Sequence, residues 1–466
     1  MSKKIQLSDH FTYGRLLRFV MPSILMILCT SVYTIVDGFF VSNYVGKTAF
    51  AALNLVWPVL MVVSTIGFLI GTGGCALVSK TLGEGNRERA NQYFSMLITV
   101  TFIGTVVLSA IGFLLTPQIV TLLGAKGAEM QANSILYGRI LFVGIPFMVL
   151  QQAFLSFYVA AEKPSLSLIV SIVSGVINMI LDYVLIVPLD MGLAGAALAT
   201  ILSQAVGGIF PVVYFLRKNS SLLRLQFPFP MHWKALWIAC ANGSSEMVSN
   251  LSVSLVSMLY NYQLMRLVGE DGISAYGVLM YVSVVFNAVF MGYSIGSAPI
   301  VSYHYGAKNH AELKNLFQKG LWLISGSSVV ITALAIGFAK QQAMIFTSHD
   351  ADLMALTIQA CQIYSIAYLF KGINTWASSF FTALNNGLVS ALISFLRTFL
   401  FEIAAILILP AFFGVLGIWF SVVAAELAAL VVSIAFWLQI GKNISIKWRI
   451  FQKALQHCDK FNFVTN

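Results

Sequence analysis

The sequence predicts an all-α polytopic membrane protein, with twelve transmembrane helices in two six-helix lobes related by a pseudo-two-fold axis along the membrane normal. Three observations carry that prediction. Hydrophobic residues make up 59% of the 466 and charged residues only 9%, against roughly a quarter charged in an ordinary soluble domain. The apolar residues gather in stretches of about 20 or more, enough to cross a bilayer as helices. The residue pattern also repeats across the middle of the chain.

Breaks at Gly, Pro, Asn and charge place the spans near 16–41, 50–79, 93–116, 134–160, 165–188, 192–216, 236–265, 273–303, 316–338, 356–384, 388–411 and 414–440. The first apolar run continues from Leu16 past Phe40, longer than the core of a cleaved signal, so the N-terminus is expected to be retained. Within it, Pro22 lacks the amide that would bond the preceding turn, which should bend or weaken the helix fifteen residues before Asp37. Gly67, Gly71, Gly73 and Gly74 in the second span permit close helix contact.

The longest polar connection, "RKNSSLLRLQFPFPMHW" (217–233), divides the spans six and six. This gives an N-terminal lobe over 1–216, an inter-lobe linker over 217–234, a C-terminal lobe over 235–441 and a basic tail over 442–466. The tail stretch "ISIKWRIFQKAL" is basic and amphipathic; it can lie on the inner membrane surface or stay solvated.

An offset of 223 residues lays "YVGKTAFAAL" (44–53) over "LVGEDGISAY" (267–276), and "LGEGNRERANQYF" (82–94) over "YGAKNHAELKNLF" (305–317). "GLAG" at 192 meets "GVLG" at 414 after a one-residue slip. Each repeat holds an even number of spans, so both halves enter from the same side, and a binding site is expected between or within the lobes near the midplane.

With the N-terminus in the cytoplasm, basic residues in the loops, tails and span ends divide twenty inside against five outside. The net charge of +10 is therefore a topology signal and does not point to nucleic acid. Both termini are expected to be cytoplasmic. Cys29, Cys75, Cys240, Cys361 and Cys458 form no CxxC pair and have no histidine spaced as a metal partner. With no GxxxxGK[ST] loop and no paired histidines, neither an enzyme nor a built-in ATP motor is expected, and no cofactor.

Ionisable residues within the spans are Asp37, Arg139, Asp182, Glu246, Lys371, Arg397, Glu402 and Glu426. Each needs a partner, water or a proton; a carboxylate at mid-bilayer costs about 2.5–3.5 kcal/mol on insertion scales. On the fifth span Ser167, Ser171, Ser174, Gly175, Asn178 and Asp182 recur every three or four residues as one polar stripe. The first span repeats this with Ser23, Thr30, Thr34 and Asp37, and Tyr33 lies one turn from the acid. Two carboxylates in a poorly hydrated pocket cannot comfortably both stay ionised without a cation, so the pair reads as a proton-loading or cation site. Asn178 and Thr200 can add oxygens suited to sodium. The alternative is that both acids only hydrogen-bond within helix packing.

The seventh span carries a stripe of Glu246, Asn250, Ser254, Ser257 and Asn261; Glu246 can bind a ligand or pair with Lys371 or Arg397. Arg397 and Glu402, five apart, make a poor intrahelical pair and are each expected to look to another helix. Tyr33, Tyr260 and Tyr281 lie on polar stripes where ring faces can hold a flat cation.

These residues resemble the multidrug and toxic compound extrusion (MATE) family over nearly the whole chain. The carrying stretches are "YGRLLRFVMP" leading into "YTIVDGFFVSNYVG", "LGEGNRERA", "NMILDYVLI" followed by "GLAGAALAT", and "YGAKNHAEL". Acid placement is most similar to the MepA-like and DinF-like bacterial branches. The resemblance implies two lobes around a cleft that opens alternately to either side, in the bacterial cytoplasmic (inner) membrane. It also implies multidrug efflux, and with it antibiotic resistance, by antiport of drug-like, often cationic or amphiphilic compounds against protons or sodium. It places Asp37, Asn178, Asp182 and Thr200 at the family's first-lobe cation site and Pro22 at its bending proline. Departures are "NGSS" at 242–245, where Gly-Leu-Pro is common, and Lys371, where some branches carry an acid. The expected unit is a monomer in the lipid bilayer, with Tyr33, Glu246, Asn250, Tyr260 and Tyr281 as cleft candidates. A lipid-linked oligosaccharide flippase and a non-transporting receptor or scaffold are the alternatives.

Overall fold

The computed structural model describes residues 5–45, 47–125, 127–347 and 350–443. Apart from residues 5–12, the linker at 217–232 and short turns, they are helical, in the order α1 (Tyr13–Phe40), α2 (Lys47–Gly83), α3 (Arg87–Leu122), α4 (Ala128–Ala160), α5 (Pro164–Ile186), α6 (Gly192–Leu216), α7 (Trp233–Leu267), α8 (Glu270–Gly306), α9 (His310–Gly337), α10 (Ala339–Thr347), α11 (Ala351–Ser365), α12 (Tyr368–Ala383), α13 (Gly387–Phe395), α14 (Glu402–Phe413) and α15 (Val415–Asn443). Short π-helical turns follow α1 at Val41–Val45 and join α13 to α14 at Leu396–Phe401. The stretch predicted to be a basic amphipathic segment, 444–455, lies outside the described residues, as does the rest of the tail beyond Asn443.

Among the described residues ten segments are long and apolar enough to cross a membrane, and the bent pair α11–α12 makes an eleventh. The twelfth long element is α7, 35 residues, whose polar stripe takes it below that apolar threshold. A helix this polar is tolerated where its stripe borders protein or a cavity and not lipid. The tenth predicted span, read as one helix over 356–384, is instead two helices meeting at 47°. Ile366 N bonds Ile363 O at 3.1 Å and Ala367 N bonds Tyr364 O at 3.0 Å, so a tightened turn interrupts the α-ladder.

The repeat has a local physical basis. Its matched asparagines cap equivalent helices: Asn86 Oδ1 accepts from Arg89 N at 3.0 Å on α3, and Asn309 Oδ1 accepts from Glu312 N at 3.1 Å on α9. One residue before each asparagine the chain is left-handed, at Gly85 (φ 81°) and Lys308 (φ 54°).

The six helices α1–α6 form one lobe and α7–α15 the other. They meet where α1 packs on α8 and α2 on α7 and α8, at the end of the bundle that carries the linker. Glycine permits the approach. A β-carbon at Gly73 would run into the carbonyl of Ala239, one at Gly243 into that of Leu69, and one at Gly292 into Ile24. Pro22 lies in this seam; α1 runs through it without a break, and the turn after it, at Ile24, is backed by Gly292.

The N-terminal segment straps the same end. Leu7 N donates to Glu162 Oε1 at 2.8 Å in the first lobe, and Phe11 N donates to Glu312 Oε1 at 2.9 Å in the second. Leu7 and Phe11 are fully buried. The linker is held in the corresponding way by α3, where Arg87 donates to Ser221 O at 2.8 Å and Leu222 O at 2.9 Å, and Asn91 Oδ1 accepts from Arg224 N at 3.0 Å.

Candidate functional site

The polar stripe of α5 faces inward. Ser167, Ser171, Ser174, Asn178 and Asp182 are all buried, Asp182 completely. Towards the linker end the stripe is satisfied: Ser174 Oγ donates to Ser203 O of α6 at 2.6 Å, and Ser167 Oγ contacts Met26 Sδ of α1 at 2.8 Å. The Ser174–Ser203 bond sets the register of the antiparallel pair α5/α6. One turn further from the linker end on each helix come Asn178 and Thr200, at the same level, and Asp182 stands a turn beyond. The Tyr33 ring lies against Gly175, where a β-carbon would come within 3.0 Å of it.

Asp37 of α1 faces Asp182 of α5 at hydrogen-bonding range between the two carboxyl groups. The structure thus brings together the two acids that the sequence set on separate helices. Asp37 Oδ1, both oxygens of Asp182 and Asn178 Oδ1 are buried without a hydrogen-bond donor among the described residues. No lysine or arginine forms an ion pair with either acid among those residues. Thr200 Oγ1 donates to Ala196 O at 3.0 Å, which leaves its lone pairs available. These buried oxygens, acceptors that receive no donor, are costly to bury until a proton or a small cation reaches them. Among the described residues no group of three or more His, Cys, Asp or Glu side chains is placed to hold a metal ion.

Tyr137 of α4 was not anticipated. It is buried, and its phenol lies within electrostatic reach of both Asp37 and Asp182. On a helix read as generally apolar, one tyrosine gives no periodic signal; only the α4 packing brings it to the acids.

A second polar region is a cavity of about 480 Å³ in the second lobe, bordered by α2 and α4 of the first. Glu246 and Asn250 of α7 line it, as do Lys371, Arg397, Glu402 and Glu426. The π-turn at Leu396–Phe401 explains how Arg397 and Glu402 share this cavity. Five residues apart on an α-helix they would diverge by about 140°, whereas bonding at i→i+5 brings them to similar faces. Neither forms an intrahelical pair: Arg397 Nη1 stands 3.9 Å from Glu426 Oε1 on α15 and donates to Thr375 Oγ1 of α12 at 2.7 Å. Asn374 Nδ2 bonds the other oxygen of Glu426 at 2.8 Å.

The remaining cleft candidates sit elsewhere. Tyr260 is buried behind the cavity wall, its ring stacked on Tyr276 at 4.8 Å and its hydroxyl facing Glu402. Tyr281 is 49% exposed and Tyr33 belongs to the first-lobe acid site; neither lines the second-lobe cavity.

Comparison with known proteins places this architecture. The MatE family model matches twice, over residues 22–184 and 247–408, one match in each lobe. The Multidrug export protein MepA of Staphylococcus saprophyticus is 24% identical over 421 residues, covering 88% of this chain and 90% of that protein. The protein of the same name from Staphylococcus aureus strain MSSA476 is 25% identical over 442 residues, covering 91% and 94%. A crystal structure of MATE in complex with MaL6 superposes with a TM-score of 0.90 at 19% identity, covering 96% of this chain and 100% of that one. Two family matches that together span most of the chain, on a shared two-lobe fold, establish that this chain belongs to the MatE family of transporters.

Proposed function

We propose that this protein is a secondary-active multidrug exporter of the bacterial cytoplasmic membrane. It expels drug-like, often cationic compounds by alternating access, driven by entry of protons or sodium at Asp37 and Asp182. The observation that carries the reading is the buried, donor-free convergence of those two acids with Asn178. Similarity to proteins named for multidrug export supports the substrate class. The excess of basic residues in the loops supports a cytoplasmic linker end, and with that orientation the glycine seam closes the cleft on the inside.

The mechanism follows from differential affinity. With both acids ionised, α1 and α5 carry like charges face to face. A proton or sodium ion arriving from outside removes that repulsion and favours a closer packing of the two helices. A ligand shifts such an equilibrium only through its unequal affinity for the two states. Substrate is released outward from the loaded form, and discharge of the ion inside resets the cleft.

The test is ethidium efflux from cells lacking their own pumps, under imposed proton and sodium gradients. Gradient-driven efflux by the wild type that is lost in Asp182→Asn supports the reading. Equal efflux by the variant removes Asp182 from coupling.

A further inference from the structure

The inter-lobe linker has two apolar faces, and the first lobe uses only one of them. Leu223 and Leu225 are buried against it, and Phe229 packs beside them. Phe227, Met231, Trp233 and Trp237 are left 41–74% exposed. An apolar and aromatic cluster of this kind calls for a partner, and its level in the molecule identifies one.

The linker climbs α3. Arg87 holds the carbonyls of Ser221 and Leu222, Asn91 holds the Arg224 amide, Ser95 Oγ accepts from Gln226 N at 2.8 Å, and His232 N contacts Met96 Sδ at 3.2 Å. At 1.5 Å per residue, the step from Arg87 to Ser95 is about 12 Å along the helix. Residues 226–232 therefore stand level with the start of the third predicted span (93–116), where headgroups meet acyl chains. Trp233 and Trp237 continue the patch one turn apart as α7 enters the bilayer.

Two further features suit the tip to that layer. Pro228 and Pro230 carry no N–H, so the tip has fewer backbone donors to satisfy away from water. Arg224 and Lys234 flank it, both exposed, and basic side chains at this level are drawn to anionic headgroups.

We infer that the linker is a membrane-interface anchor. Residues 226–237 dip into the headgroup layer of the inner leaflet, with Phe227, Met231, Trp233 and Trp237 among the upper acyl chains and Arg224 and Lys234 on the phosphates of anionic phospholipids. The anchor is independent of what the protein carries; only the choice of leaflet rests on the cytoplasmic orientation proposed above.

The test adds fluorophores to an otherwise native chain. Phe227→Trp and Met231→Trp each place one at the tip, and Lys218→Trp places one at the start of the linker, where water is expected. All three positions are exposed, so the substitutions leave buried contacts in place. The emission each adds over the wild type is measured for the purified full-length protein in nanodiscs containing phosphatidylglycerol. Lipids brominated high on the acyl chain should quench the added emission at 227 and 231 and aqueous acrylamide should not, with the reverse at 218. Acrylamide quenching at 227 and 231 as strong as at 218 overturns the inference. Protection there from both quenchers marks a protein partner, a second copy included, and overturns it as well. In nanodiscs of phosphatidylcholine alone, lipid quenching at the tip should weaken, and Arg224→Gln combined with Lys234→Gln should abolish the difference between the two lipids. Equal quenching in both lipids with Arg224 and Lys234 in place overturns the role given to those two residues.

Discussion

At the scale of single residues, the central question is whether Asp37 and Asp182 are packing glue or a loading site. Glue would be a carboxylate receiving donors from its neighbours, and its loss would cost about 1–3 kcal/mol. Asp182 receives none among the described residues. Asp37→Asn removes a like-charge repulsion and adds donors, so it should leave the thermal midpoint of the purified protein unchanged or raised while gradient-driven efflux falls by at least about tenfold. A midpoint lowered by several degrees with efflux intact would return both acids to a structural role. The acid pair was legible in the sequence because each member sits on a stripe with helical period in an otherwise apolar span. Tyr137 was not, since no pattern within α4 marks which of its faces meets the acids.

At the scale of elements, the strap and the seam hold the linker end shut. Glu312 accepts from Phe11 N at 2.9 Å and Asn315 Nδ2 at 2.7 Å, and it pairs with His10 Nδ1 at 2.6 Å. In Glu312→Ala the Phe11 amide loses its acceptor, so hydrogen exchange at residues 7–11 should speed by about tenfold or more; unchanged protection would show that burial of Leu7 and Phe11 suffices. Gly73→Leu places a branched side chain against the backbone of α7 at Ala239 and Gly243. Overpacking of this kind costs about 1–3 kcal/mol, so cysteines introduced along the linker-end seam should become more reactive to membrane-impermeant thiol reagents from the linker side. The helix count and the repeat were readable from apolar length and from the Asn86/Asn309 match. The break between α11 and α12 and the π-turn before α14 were not. Both depend on a shifted hydrogen bond within an apolar stretch, without a proline or charge run to mark it, and together they turn Lys371, Arg397 and Glu402 into one cavity.

At the scale of the whole molecule, the two halves share a fold and differ in charge. The first lobe gathers acids alone at its centre, and the second mixes three glutamates with a lysine and an arginine. On the proposed export reading, ion loading belongs to the first lobe. The measurement that tests this most directly is uphill ethidium transport by the purified protein in liposomes with an imposed proton or sodium gradient, alongside dye binding to the same preparation. The account predicts that the wild type concentrates dye against its gradient, and that Asp182→Asn still binds dye yet no longer concentrates it. An Asp182→Asn protein that concentrates ethidium as the wild type does would contradict it.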